Sequence, residues 1–322
     1  MDMSEFDRVL LVANPAGGGG RAGRWVRPVA AALRAAGVRL KVVRTRRAGD
    51  AREAAERCAG RRALIIAFGG DGTLNEVLNG ADLERCALAV LPAGTGNVLA
   101  KEVGMHGWPP RAVRQLLQGA LVRMDVGVCN GRRFACMVGA GVDGDVVRAV
   151  HEHRRRRLTQ FHYMPHLIGA LMGHARWDIA VELDGRPVVR GMDQVVLGNT
   201  HSYGGPVELT PRASALDGQL DAMCLAWPDI IEMPAVVSYG LLRRSAECPH
   251  VTYRRARHAV LSSPRDDVPY QLDGEAAGLL PVEVEVMAGA VRFLVPAGCR
   301  MRHPGGCPRD QQGAEQNAVD SL

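Results

Sequence analysis

Lysine is nearly missing from this chain: Lys41 and Lys101 are the only two among 40 basic residues, and the rest are arginine. No Gly-Lys-Ser/Thr occurs. That excludes a Walker-type phosphate loop, which needs a lysine on the β- and γ-phosphates. Aromatic residues make up 4%, too few to interleave with arginines as stacking platforms for single-stranded nucleic acid. No stretch reads as a DNA-recognition helix either. No apolar run reaches the roughly 18 residues that a membrane-spanning helix requires. Met1 to Arg8 carries Asp2, Glu5 and Asp7, the opposite of the basic-then-apolar pattern of a secretory signal. The eight cysteines stand at irregular spacings without a Cys-x-x-Cys pair, most in apolar surroundings such as Cys86 before Ala87-Leu88. Buried free thiols in a reducing cytoplasm are expected, rather than disulfides or zinc.

The chain has 322 residues, 47% of them hydrophobic, enough for a sizeable core divided over two domains. In the first part strands and helices alternate: strands at 8–13, 40–44, 63–68 and 87–91, with helices at about 24–36, 50–59 and 74–78 between them. That alternation predicts a three-layer α/β domain with a parallel sheet over residues 1–127. Beyond Val122 the rhythm changes to short strands at 126–129, 132–138, 178–183, 188–197, 220–226, 258–261 and 282–287. Hairpin signals Asn130-Gly131 and Asp184-Gly185 punctuate them, and helices are expected near 154–172 and 230–243. Residues 128–289 therefore read as an antiparallel β-rich sandwich, followed by one more strand at about 290–300. The tail 303–322, rich in Gly, Gln and Pro, reads as disordered.

Three glycine-rich turns follow the apolar strands: Asn14-Pro15-Ala16-Gly17-Gly18, Gly69-Gly70-Asp71-Gly72-Thr73 and Gly94-Thr95-Gly96-Asn97. Turns with free amides at strand ends are where open α/β sheets hold phosphorylated ligands. Glycines there permit positive φ and let phosphate oxygens come close to the backbone. A turn-forming Asp-Gly would account for Asp71-Gly72, but not for Thr73 and Asn75 at the helix start that follows. A fourth segment, Asp273-Gly274-Glu275, puts paired carboxylates in the β-rich half. Together the four suggest a nucleotide site on one domain and an acid supplied by the other.

In this order, Asn-Pro-x-x-Gly, Gly-Gly-Asp-Gly-Thr-Leu-Asn, Gly-Thr-x-Asn and Asp-Gly-Glu, the set resembles the diacylglycerol kinase catalytic-domain family, particularly soluble bacterial lipid kinases related to sphingosine kinases. The resemblance spans Val9 to about Ala297. It implies a first domain akin to phosphofructokinases and NAD kinases, with the last strand returning to it. It also implies ATP contacts from Asn14, Thr45, Gly69, Gly70, Asp71, Gly72, Thr73, Leu74, Asn75 and Thr95. Glu275 falls at the family's proton acceptor, and Asp125 at a carboxylate that arranges water and magnesium. Ser214, Asp217 and Gln219 fall at a structural metal site suited to Mg²⁺ or Ca²⁺, although Asp217-Gly218 alone would read as a hairpin turn.

Catalysis by Glu275, Asp71 and Asp125 with Mg²⁺ at the triphosphate would make this an ATP-dependent lipid kinase. Its acceptor would be diacylglycerol-like, phosphatidylglycerol or a sphingoid base. Many diacylglycerol kinases continue Gly-Thr-x-Asn with Asp-Phe, whereas Val98-Leu99 stands here, which removes one carboxylate from the metal network. A small-molecule kinase of the NAD kinase type, or a non-catalytic lipid-binding protein on the same fold, stays open at this stage. Four consecutive arginines within His151–Arg157, ahead of the apolar stretch to Met172, offer a docking surface for anionic lipid headgroups. A solvated helix face explains them equally well. The expected partners are ATP and a lipid at the inner face of the membrane, with homodimerisation open and no nucleic acid.

Overall fold

The computed structural model describes residues 3–152, 177–201, 208–228, 232–299 and Met301. The arginine cluster from residue 153 on, the helix expected through 172 and the tail from 303 lie outside the described residues. The strands are β1 (Arg8–Ala13), β2 (Leu40–Arg44), β3 (Ala63–Gly69), β4 (Ala87–Pro92), β5 (Ala120–Cys129), β6 (Arg132–Phe134), β7 (Met137–Gly141) and β8 (Ile179–Leu183). They continue as β9 (Arg186–Met192), β10 (Gln194–Gly198), β11 (Leu220–Leu225), β12 (Val251–Ala256), β13 (His258–Ser262), β14 (Pro269–Leu272), β15 (Glu275–Leu279) and β16 (Val282–Val295). The helices are α1 (Arg21–Ala35), α2 (Asp50–Glu56), α3 (Asp71–Gly80), α4 (Val98–Glu102), α5 (Pro109–Leu117), α6 (Val142–Glu152) and α7 (Met233–Leu241).

β3 and β4 are buried at every residue, and β1 at all but its first. Uninterrupted apolar runs of this kind fit a parallel sheet covered on both faces. The sheet runs β2-β1-β3-β4-β16-β13-β8-β9, with β5 also paired to β16 and β6 to β5. β1 to β4 are parallel. Because the chain steps from β1 outward to β2 and then back to β3, the winding reverses between β1 and β3. Such a reversal opens a crevice at the carboxyl ends of the two strands. A second, antiparallel sheet, β12-β11-β10-β7-β14-β15, packs on the far part of the first. Between them lies a core of Phe134, Val138, Ile179, Leu197, Leu220, Leu261, Leu272 and Val284. The fold is thus a mostly parallel α/β domain followed by an antiparallel sandwich.

Four expected strands are bounded differently. Residues 132–138 divide into β6 in the first sheet and β7 in the second, and residues 188–197 divide into β9 and β10 in the same way. The second division falls at Asp193, whose carboxylate accepts Trp177 N (3.1 Å) and Trp227 N (2.8 Å). Conversely, 282–287 and 290–296 are one strand, β16. Gly289 (φ +56°) bulges it between Met287 and Val291 without ending it. Beyond the bulge β16 pairs parallel with β4, Arg292 opposite Ala87. Before it, β16 pairs antiparallel with β13. Strands β12, β14 and β15 carry too short a pattern to stand out in the sequence.

Candidate active site

The carboxyl ends of β1, β3 and β4 bring the three glycine turns into contact. The Asn14 side chain, just past β1, donates from Nδ2 to Thr73 Oγ1 (3.3 Å) and accepts Ala16 N (3.0 Å) at Oδ1. This spans the crevice between β1 and β3. A Cβ placed on Gly70 would come 3.2 Å from Gly94 Cα, and one on Gly17 would come 3.1 Å from Ala93 O. Only residues without side chains let these backbones approach so closely. Asn97, in the left-handed region (φ +50°), locks the third turn by accepting Gly94 N and donating to Gly94 O, both at 2.9 Å.

Asp71 opens α3 and spans two of the turns. Its Oδ1 accepts Val98 N at 2.6 Å, and its Oδ2 lies 2.8 Å from where a Cβ on Gly96 would stand. Burial pushes the Asp71 carboxyl up from its ordinary range, the Val98 amide opposes that, and the nearby charge of Asp273 adds to it.

The fourth segment arrives from the second sheet. A Cβ on Gly72 would fall 2.6 Å from Glu275 Oε1, so the acid at the start of β15 rests on the Gly-Gly-Asp-Gly turn. Glu275 Oε2 is ion-paired with Arg132 at 3.0 Å. Asp273, also left-handed (φ +50°), faces the gap between β6 and β7. Its Oδ2 accepts Ala135 N (2.8 Å) and Asn75 Nδ2 (3.0 Å), and its Oδ1 accepts Cys136 N (2.8 Å) and Met137 N (3.1 Å). Burial nonetheless pushes its carboxyl up, against the pull of these donors. Asn75 is therefore spent on joining the two halves, and Leu74 is buried in the core at 3% exposure. Thr45 ends β2 with its N–H on Ala13 O (2.9 Å), and Thr95 is exposed on the third turn.

Asp125 lines a small cavity with Leu74 and Leu99, which stand just after the second and third turns. It is 4% exposed, and its two oxygens accept Gly218 N and Gly289 N, each at 2.7 Å. The carboxylate clamps the loop that carries Ser214, Asp217 and Gln219 to the bulge in β16. In that loop Asp217 accepts Gln219 N (3.0 Å), and Arg255 sits on its other oxygen. Behind it Asp221 is fully buried. The Arg255 guanidinium thus already stands on the carboxylate that a cation in this loop would need.

Sequence reasoning left Gln271, Asp143, Asn97 and Arg132 without a role. Gln271 Oε1 accepts Gly274 N, and its Nε2 donates to Asp143 Oδ2, both at 2.7 Å. This holds the acid-bearing turn against α6. Burial pushes the Asp143 carboxyl up to about 6 from 3.8, and the Gln271 bond pulls the other way. A folded-state pKa above the unfolded one means that stability from this group is full below about pH 4 and is lost as pH rises through about 6. Asp143→Asn keeps an acceptor for Gln271 and cannot ionise. It is expected to melt like the parent at pH 4 and to be more stable at pH 8, by roughly 2–3 kcal/mol at about 1.4 kcal/mol per pKa unit. Coincident denaturation curves at pH 8 would show that Asp143 carries no such burden.

Both halves of the chain match known families. Residues 8–129 match the family model for the diacylglycerol kinase catalytic domain, and residues 136–295 that for the YegS C-terminal NAD kinase beta sandwich-like domain. A diacylglycerol kinase of Bacillus subtilis (strain 168) is 30% identical over 297 residues, covering 90% of this chain and 96% of that protein. A Pseudomonas aeruginosa (strain UCBPP-PA14) protein named "Probable lipid kinase YegS-like" is 32% identical over 303 residues, covering 91% and 95%. The crystal structure of a Bacillus anthracis str. Sterne diacylglycerol kinase superposes with a TM-score of 0.74 at 23% identity, covering 91% of this chain and 99% of that one. It shares the fold.

Proposed function

The chain belongs to the diacylglycerol kinase and YegS-like family of lipid kinases, and on that premise we propose that it moves the γ-phosphoryl group of ATP to the hydroxyl of a diacylglycerol-like lipid, with Glu275 as the proton acceptor. The observation that carries this reading is the contact of Glu275 Oε1 with Gly72, where a Cβ would stand only 2.6 Å away. It unites an acid of the sandwich with the most glycine-rich turn of the α/β half.

Phosphoryl transfer asks a protein for positioning, charge neutralisation and removal of the acceptor's proton. Gly17 N and Gly94 N are taken within their own turns by Asn14 O (3.1 Å) and Asn97 Oδ1 (2.9 Å), so the donors for a triphosphate at the switch between β1 and β3 are the amides of Gly18, Gly70, Gly72 and Thr95. Asn14 and Thr73 hold two of these turns together through their mutual hydrogen bond. Thr45, at the end of β2, and the exposed Thr95 border the same edge of the sheet. Bond formation is completed when the lipid oxygen attacks the γ-phosphorus, the bond to the β,γ-bridging oxygen breaks, and the hydroxyl proton passes to the Glu275 carboxylate.

Asp71 is the residue of this chain suited to a divalent cation, Mg²⁺ in this reading. Its desolvated carboxylate keeps Oδ2 apart from the Val98 bond and has Asp273 as a charged neighbour. Such an ion, held by Asp71, would supply neutralisation of the triphosphate charge. No cluster of three or more acidic, His or Cys side chains fit for a metal occurs among the described residues. At the second loop, Ser214, Asp217 and Gln219 form a Mg²⁺ or Ca²⁺ site only with Arg255 displaced. The role of Asp125 in this reading is to fix that loop to β16.

In this division, residues 1–127 with the end of β16 bind nucleotide and 128–289 receive the lipid. The acceptor comes from a bilayer, so the protein works at the membrane's inner face as a peripheral enzyme. No helix among the described residues is long and apolar enough to cross. The test is incubation with Mg-ATP and an extract of total bacterial lipid, with NAD as a parallel acceptor, and mass spectrometry of the products. A phosphorylated diacylglycerol, phosphatidylglycerol or sphingoid base supports the reading and names the acceptor. Phosphorylation of NAD alone overturns it.

A further inference from the structure

Arg132 belongs to neither group of site residues above, yet it touches both halves of the site. It follows the tight turn Asn130-Gly131, where both residues are left-handed (φ +46° and +80°), so its backbone at the start of β6 is fixed. One guanidinium nitrogen, Nη2, donates to Glu275 Oε2 at 3.0 Å and to Asn75 Oδ1 at 3.3 Å. Asn75 lies on α3, four residues after Asp71, and passes the connection on to Asp273 through Nδ2. The neighbouring Arg133 anchors the same hairpin to the end of α3, donating from Nη1 to Leu78 O (3.0 Å) and Ala81 O (2.9 Å). The Arg133 backbone adds to this, its N–H donating to Asn79 Oδ1 and its carbonyl accepting Asn79 Nδ2, both at 2.9 Å. Of the hairpin's contacts with α3, only the one from Arg132 is shared with the Glu275 carboxylate.

The geometry points to Arg132 as a positioning residue for phosphoryl transfer: one of its guanidinium nitrogens holds the Glu275 carboxylate against the Gly72 turn while also donating to Asn75 on α3. This rests on the reading of Glu275 as proton acceptor. A glutamate at the start of a strand after a two-residue turn has free rotamers in its outer torsions, and both the Arg132 and Glu275 side chains are 38–39% exposed. Burial alone does not fix Glu275 there; the ion pair and the Gly72 contact do. A charged hydrogen bond with a second acceptor on α3 sets direction as well as distance. A lysine ammonium would bring the charge on a more flexible stem, without the rigid guanidinium plane that aims this nitrogen.

The test is a double-mutant cycle on lipid phosphorylation. Arg132→Ala should lower kcat about a hundredfold, the scale of a misplaced catalytic group, with the KM for ATP within about a factor of two because the glycine turns are untouched. Arg132→Lys should recover only part of the loss. In a Glu275→Gln background, Arg132→Ala should cost nothing further, since its effect passes through the missing carboxylate. Equal losses in both backgrounds, or no loss in kcat, would overturn the assignment. Parent-like turnover of Glu275→Gln alone would instead remove the proton-acceptor reading on which it rests. Unchanged melting and ATP binding of Arg132→Ala distinguish positioning from a folding defect.

Discussion

Glu275→Gln should lower lipid phosphorylation by a factor of about 10² to 10⁴, the range general base catalysis contributes, while ATP binding and thermal melting stay at parent values. The substitution is nearly isosteric. The amide keeps an oxygen for Arg132, whose ion pair joins two part-exposed side chains at 3.0 Å, and exposed pairs contribute little to stability. The contact with Gly72 is kept by shape. What disappears is the ability to take a proton from the attacking hydroxyl. Loss of kcat without a matching change in the KM for ATP is therefore the expected pattern. Parent-like turnover would remove Glu275 from the reaction and leave the acid turn a purely structural role. A loss of ATP binding would say instead that the carboxylate serves the nucleotide.

The largest effect on stability should come from Asp273. Its two oxygens gather four donors: the backbone N–H groups of Ala135, Cys136 and Met137, and the Asn75 side chain. The three amides lie where the chain leaves β6 for β7, crossing from one sheet to the other, and so cannot be used by either ladder. Asp273→Ala would take away the acceptor of all four donors, whose residues are only 4–8% exposed. Each unsatisfied buried donor costs about 1–3 kcal/mol, less where water reaches the half-buried site of Asp273. A loss of roughly 3–5 kcal/mol is thus expected, read as a lower urea midpoint at an unchanged slope. Asp273→Asn should fall between, because its amide group meets N–H groups with an N–H of its own. An alanine variant within 1 kcal/mol of the parent, inside the scatter of surface substitutions or little beyond it, would mean that other acceptors take over these amides. Because Glu275 lies two residues on, Asp273→Ala should also reduce turnover.

What the sequence made legible was local. The apolar runs of β1, β3 and β4, and the glycines after them, are patterns contained in a few residues, and they fixed the parallel sheet and its ligand-facing edge. The acid turn was visible as Asp-Gly-Glu, but its arrival at Gly72 joins residues some two hundred positions apart. Asn75 meets Asp273 across 198 positions and Arg132 meets Glu275 across 143, and no periodicity encodes such pairings. Asp273 read as one of a pair of carboxylates with Glu275, although its carboxylate also closes the crossing between two sheets. Residues 288–289 read as a gap between two strands, because a positive-φ bulge and a chain break look alike in one dimension. Asp125 read as a carboxylate that arranges water and magnesium, and no pattern in the sequence announced that each of its oxygens also accepts an amide, from Gly218 and from Gly289.

β16 begins beside β13 in the sandwich and ends beside β4 in the α/β half. The last residues of the fold thus complete a sheet started by the first hundred. A ribosome that has released only the nucleotide-binding part has made a sheet with one seat vacant, an open apolar edge beside β4 that nothing fills until Val291 to Val295 emerge. The two halves must mature together, and a gene cut after Cys129 would encode a fragment with an adhesive border rather than a minimal kinase.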